Sequence, residues 1–217
     1  MAGLMEKDFR ILLQRKQAFL VFLVIAVLLS VTQGGAGVVG YLPFISAMLA
    51  VSTISYDEFD NGYPFLFTLP ITRKSYVAEK YIFCFLTVFC SWIFSVILYV
   101  AIDKLQGGET PVSEMLFVSI LLLLIAIVLM DVMVAVQLKY GAERSRGVII
   151  AIFGICFLAI YALAKLLEKA GVETAAVFGY MERISATGIV LLLLAAGIVA
   201  TFISVLISIA VMEKKTF

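Results

Sequence analysis

The sequence contains no histidine. That absence removes histidine-ligated metal sites, Ser-His-Asp triads and imidazole pH switches together. Charge is scarce as well: 14% of the residues are charged, where a soluble domain carries about 25%. The three cysteines, Cys84, Cys90 and Cys156, all fall inside apolar runs, so they read as small buried hydrophobic residues and not as a disulfide or a metal centre. Catalytic signatures are missing too. No G-x-x-x-x-G-K-[ST], H-E-x-x-H, C-x-x-C or G-x-S-x-G occurs, and "QGGAGVVG" at 33–40 has the glycines of a phosphate loop without its lysine. Hydrolysis of ATP through a P-loop in this chain is excluded, no cofactor of its own is expected, and any energised work needs a partner.

What remains is oil. Hydrophobic residues make up 64% of the chain and the mean hydropathy is +1.14, well above a soluble composition. A helical span needs ~20 largely apolar residues, because each rises ~1.5 Å through ~30 Å of hydrocarbon. Runs at about 17–33, 38–55, 81–101, 115–136, 148–167 and 188–211 meet that requirement and predict six spans. They are continuous and do not alternate in short pieces, which favours helices over a β-barrel. The expectation is an all-α integral membrane protein, one transmembrane domain over 1–217. The first run is read as a retained helix, because it is long for a signal sequence and "SVTQGGAG" is a weak cleavage site.

Positive charge orients the spans. With both termini in the cytoplasm, the inner segments hold Lys7, Arg10, Arg15, Lys16, Arg73, Lys74, Lys80, Lys139, Arg144, Arg146, Lys214 and Lys215, against Lys104, Lys165, Lys169 and Arg183 outside. The segment 3–16 has Met5, Phe9, Leu12 and Leu13 at helical spacing, with Lys7, Arg10, Gln14 and Arg15 on its other faces. It predicts an amphipathic helix lying in the membrane interface, its cations toward lipid phosphates.

The longest polar stretch, "YDEFDNGYPFLFTLPITRKSYVAEKY" at 56–81, falls on the cytoplasmic side. Asp57, Glu58 and Asp60 are followed by Phe59, Tyr63, Phe65, Leu66, Phe67 and Leu69, apolar bulk on a polar background, which marks a docking surface. The alternative is a solvated loop whose Arg73, Lys74 and Lys80 only set topology. Pro70 ends the unit, and Thr72 is placed to N-cap the next helix.

Inside the bilayer, Ala196, Ala200, Ser204 and Ser208 recur every fourth residue, a small-residue stripe for close packing within the bundle or at a dimer seam. Asp131 lies near the inner end of the fourth run, where snorkelling or pairing with Lys139 or Arg144 is expected. An intramembrane enzyme would need more than this one acid. Phe85, Phe89 and Trp92 are candidates to line a pathway, with ordinary packing as the alternative. The outer segment 168–187 reads as a short surface helix.

The pattern "DE…TLPITRKSYVAEKY" followed by "LKYGAERSRG" resembles the type-2 ATP-binding-cassette exporter permeases, in particular the small six-span permeases of Gram-positive bacteria. The resemblance extends over nearly the whole chain through Pro70, Arg73, Val77, Lys80 and Tyr81, and through Lys139, Tyr140, Gly141, Glu143 and Arg144 in the second cytoplasmic loop. It implies that residues 56–72 hold a coupling helix, Glu58 to Leu69, which docks on a separate ATPase subunit carrying ATP and Mg. The 3–16 segment would be an elbow helix. It also implies a bacterial cell membrane, a second permease chain (identical or related) around a central route, and contact with lipid but not with nucleic acid. Among such permeases the cargo includes antimicrobial and modulin-type peptides, which suits an apolar interior; drugs, lipid-linked substrates or a non-transporting sensor or immunity role are the alternatives.

Overall fold

A computed structural model of the chain describes residues 2–14, 16–33, 36–59, 62–107, 111–169 and 186–215. All regular structure among them is helical: α1 (Ala2–Gln14), α2 (Lys16–Gln33), α3 (Ala36–Glu58), α4 (Gly62–Leu66), α5 (Arg73–Leu105), α6 (Val112–Lys169) and α7 (Ala186–Lys214). This is the arrangement an apolar chain must adopt in lipid, where a backbone amide or carbonyl without an internal partner is costly. Four described helices are long and apolar enough to cross a membrane, namely Gly37–Glu58, Arg73–Leu105, Val112–Leu167 and Val190–Lys214, and a fifth is reached when α1 and α2 are taken together.

The fourth and fifth apolar runs do not end in separate helices joined by a loop. They form the two limbs of α6, which spans 58 residues and is interrupted at Gly141 alone, with φ 77° and ψ 178°. Unbroken, such a helix would extend ~85 Å, far more than one crossing. The polar sequence "QLKYGAERSRG" is therefore helical on both sides of a single corner residue, because its side chains, apart from the glycine, are compatible with helix and only glycine takes that backbone conformation at little cost.

Helix α3 is central and packs against α5 and α6, while α6 packs against α7. The main core gathers at one end of the bundle, where Ile54 of α3, Val77 and Val88 of α5, Met130, Val134 and Leu138 of α6, and Met212 of α7 are buried together with Leu4 of α1. A smaller cluster of Ala26, Val38 and Leu42 closes the opposite end. Most remaining apolar side chains point outward, above all those of the second limb of α6, including Ile150, Ile155, Phe157, Ile160 and Leu166. Cys84 is buried, but Cys90 and Cys156 are exposed on the helix surface, so the expectation of three buried cysteines is corrected for two of them. An apolar setting in the sequence does not choose between lipid and core.

Polar groups tie α5, α6 and α7 together. The Tyr81 hydroxyl lies 2.7 Å from Ser204 Oγ and 2.8 Å from Ser208 Oγ. Ser204 donates to the Asp131 carbonyl at 2.9 Å, and Thr201 donates to the Asp131 carboxylate at 2.6 Å. Replacing Tyr81 by Phe leaves the two serines without their shared partner. A loss of about 0.5–1.5 kcal/mol is expected, read as a small fall in the thermal midpoint in detergent; an unchanged midpoint would show the bridge to be idle.

Candidate functional site

The charged residues converge at the densely packed end. Lys80 of α5 is fully buried, and its ammonium meets the carboxylates of Asp8 from α1 and Asp57 from α3, the latter at 2.7 Å. Lys7 pairs with the same Asp57 and lies 3.3 Å from Asp8. The Tyr76 hydroxyl donates to Asp57 at 3.0 Å, Thr53 donates to Asp8 at 3.3 Å, and Lys80 stands 5.3 Å from the centre of the Tyr76 ring. Glu79 Oε2 approaches Lys80 at 3.9 Å. One lysine thus fastens the amphipathic helix, the end of α3 and the start of α5 to each other.

Onto this anchor the chain builds a small platform. Helix α3 runs through Asp57 and Glu58, so the expected Glu58–Leu69 element is not one continuous helix. Its separate helical part is α4, Gly62–Leu66. Gly62 allows α4 to start close against the end of α3, because a Cβ there would stand 2.5 Å from the Asp57 carbonyl oxygen. After Leu66 the chain passes through turns and bends at 67–70, and α5 begins at Arg73 with Thr72 as N-cap, its hydroxyl accepting from Ser75 N–H at 3.1 Å. Thr72 caps as its sequence position predicts.

Residues of the platform have opposite fates. Asp57, Tyr63 and Leu66 are buried, and Phe67 packs against the core. Tyr63 contacts the Phe67 ring and the Tyr76 ring, with Lys215 above it at 5.2 Å, and burial raises its phenol above the usual range. Phe59, Phe65 and Leu69 are 55%, 72% and 46% exposed. Pro70 is exposed beside them. An open groove of about 450 Å³ runs between α1 and α4, with Leu4, Tyr56, Phe65, Leu66 and Leu69 among its walls and Lys7 and Asp57 at its polar side.

Glu58 reaches the other way. Its carboxylate accepts the Ala142 backbone N–H at 2.6 Å, just past the Gly141 corner. Ser55 accepts from the Gln137 side chain at 2.8 Å, and Gln137 accepts in turn from Ser145 at 2.6 Å, so α3 is tied to both limbs of α6. The end of α7 completes the assembly. Arg73 donates to the carbonyls of Met212 and Glu213 at 3.1 and 2.6 Å, and Lys215 donates to the Leu138 carbonyl at 3.2 Å.

Of the second-loop residues, Gly141 is buried under Glu58, while Lys139, Tyr140, Glu143 and Arg144 are exposed. Lys139 lies over the Tyr140 ring at 5.1 Å. Phe85, Phe89 and Trp92 form a ladder along α5, with ring centres 6.0 and 5.6 Å apart, and Trp92 Nε1 donates to the Ser119 carbonyl at 3.0 Å. Ser208 is buried, Ser204 and Ala200 are partly so, and Ala196 is exposed. Asp131 is buried with Thr201 as its donor and forms no ion pair among the described residues, which corrects the expected pairing with Lys139 or Arg144. Asp60 and most of the outer segment 168–187 lie outside the described residues.

The hub was invisible to pattern reading at Asp8, Tyr76 and Glu79. Positive-charge counting treats Lys7, Lys80 and Lys215 as topology markers, although all three meet protein groups. A signal existed on α1: Leu4, Asp8 and Leu12 share one face at four-residue spacing, and that face turns to the protein, while Phe9 and Leu13 point out. An acid in line with two leucines marks a buried partner.

A family model described as an ABC-2 family transporter protein matches residues 3–213. Comparison with curated proteins and with solved structures brings no match.

Proposed function

Because the chain belongs to the ABC-2 family of transporter proteins, whose members are membrane-embedded, multi-pass subunits without ATPase activity of their own, we propose that it is the permease subunit of an ATP-driven exporter. Partnership with a separate ATPase subunit is general in the family. In this reading the two limbs of α6 are separate crossings, α2 is another, and six spans result, with both termini in the cytoplasm.

The observation that carries the proposal is the platform at 56–72. Phe65 projects from the short helix α4 and Phe59 and Leu69 from the chain on either side of it, while the inner face of α4, Tyr63 and Leu66, packs on the core beside Tyr76. Exposed aromatic bulk on a rigid mount at a polar end fits a protein cleft better than it fits water. Asp57 and Tyr63 then act from inside, as anchors, and Arg73 holds the platform to α7. Lys139, Tyr140, Glu143 and Arg144 form a second exposed patch on the corner of α6, which we assign to the same partner.

A second permease chain, identical or related, would cover the outward apolar side chains of the second α6 limb. The aromatic ladder Phe85–Phe89–Trp92 would face the route between the chains, and the stripe of Ala196 and Ala200 is open for contact. The cargo we propose is an amphipathic or hydrophobic peptide, of the antimicrobial or modulin type, because aromatic and aliphatic walls offer it apolar contact.

Co-expression of the full chain with the P-loop ATPase of a neighbouring gene tests the reading. Wild type is expected to co-purify with it, and Phe65→Asp is expected to lose at least nine-tenths of the complex, roughly the effect of removing a ~1.4–2 kcal/mol hot spot, while eluting normally in size exclusion. An ATPase that binds the variant as well as wild type would return residues 56–72 to a topology loop. An ATPase that binds neither would favour the sensor role.

A further inference from the structure

The corner at Gly141 has a feature that neither helix propensity nor topology requires. In a continuous α-helix the Ala142 N–H would donate to the carbonyl of Leu138, four residues earlier. Here these two groups are parted, and each is taken by a side chain from elsewhere: Ala142 N–H by the Glu58 carboxylate at 2.6 Å, and the Leu138 carbonyl by the Lys215 ammonium at 3.2 Å. The signs are the favourable ones. A carboxylate sits at the N-terminus of the second limb and an ammonium at the C-terminus of the first, where the helix dipoles attract them. Glu58 comes from the end of α3 and Lys215 from beyond α7, so two remote segments hold the halves of one broken helical hydrogen bond.

We propose that Glu58 and Lys215 are a clamp that keeps α6 bent at Gly141 and passes movement of the 56–72 platform to the 142–169 limb. If Glu58 withdraws, Ala142 N–H loses its partner at a half-buried position, and the nearest replacement is the Leu138 carbonyl. The corner then has two hydrogen-bonded states, one closed by side chains and one by the helix itself, and the position of Glu58 chooses between them. The Ser55–Gln137–Ser145 chain spans the same corner and keeps α3 in register while this exchange occurs. Glu58 and Lys215 are positioning residues, since neither is asked to touch the cargo. The use made of the corner rests on the exporter reading; its geometry does not.

The test is a distance across the corner. Spin labels on Ile125→Cys and Ile155→Cys, both outward-facing residues on opposite limbs, would be placed in full-length protein lacking Cys84, Cys90 and Cys156 and reconstituted in lipid nanodiscs. Glu58→Ala and Lys215→Ala are each expected to shift the mean distance by a few ångströms, on the scale of helix displacements in switching proteins, or to double the width of its distribution. Glu58→Gln, whose amide oxygen still accepts from Ala142, should match wild type, which a general loss of packing would not predict. Should Glu58→Ala fail to fold, Lys215→Ala decides alone. Distributions identical to wild type in both alanine variants would overturn the clamp. In a second arm, the co-purified ATPase with a non-hydrolysable ATP analogue should change the wild-type distance, and Glu58→Ala should lose most of that change while keeping the ATPase bound. A nucleotide response of equal size in the variant would overturn transmission through Glu58. An ATPase that never binds wild type would sink the exporter reading and leave the first arm standing.

Discussion

Lys80→Ala is expected to be the most damaging single substitution in the described part of the chain. The ammonium is fully buried and is shared by Asp8 and Asp57. Without it the buried carboxylates of Asp8, Asp57 and Glu79 are left together, with only the part-exposed Lys7 to offset them. Breaking a buried ion pair from one side costs about 3–5 kcal/mol, because the surviving charge remains desolvated. For a chain of this size that corresponds to a fall in the thermal midpoint on the order of 10 °C, and low recovery from membranes would accompany it. The physical cause can be separated from lost packing. Lys80→Met combined with Asp8→Asn and Asp57→Asn removes the ammonium and the two carboxylates that share it while keeping the bulk, and it should recover much of the loss, since a neutral replacement of a buried ion pair is often close to neutral in stability. A Lys80→Ala protein with a wild-type midpoint would mean that water reaches the hub.

Gly141→Ala is expected to follow closely. At φ 77° and ψ 178° the backbone is in a region essentially reserved for glycine, which costs another residue about 1–3 kcal/mol. The added methyl would also run into the Glu58 carboxylate. Moving that carboxylate gives up its bond to Ala142, a capping loss of about 1 kcal/mol. The two terms predict a midpoint lowered on the order of 10 °C. Gly147→Ala is the control. Gly147 is helical, with open space where its Cβ would be, so alanine there should be neutral or slightly stabilising. The collision term has its own signature: in a Glu58→Ala background Gly141→Ala should cost less, because the obstructing group is gone, and the two substitutions should be non-additive. Equal midpoints for the alanine variants at 141 and 147 would remove the corner from the account.

How much of this was legible depends on the kind of signal. Thr72 was readable as a cap because capping is local, a hydroxyl three residues before the amide it accepts. The 56–81 segment was readable as a stretch of mixed bulk and charge, but not its two faces. Asp57 and Phe65 sit eight residues apart in the same polar stretch, and one is buried against Lys80 while the other stands in the open. The second loop was readable as polar, yet it folds as a single-residue corner, since nothing local announces that Glu58 and Lys215 will supply the missing hydrogen bonds. Lysines near the ends of spans serve topology and structure alike, and charge counting cannot separate the two.

Composition and run length alone determined that this chain is helical and lives in a membrane, because hydrocarbon forces every backbone group to find a partner within its own segment and sets the length of segment required. Order of motifs along the chain was enough to point to the ABC-2 family. The tertiary structure alone decided which charges are buried, which aromatics stand exposed, and which remote side chains meet at the corner of α6. Those outcomes depend on contacts between residues 19 to 140 positions apart, such as Tyr76 with Asp57 and Arg73 with Glu213, and the burial that gives such contacts their strength exists only once the helices have packed.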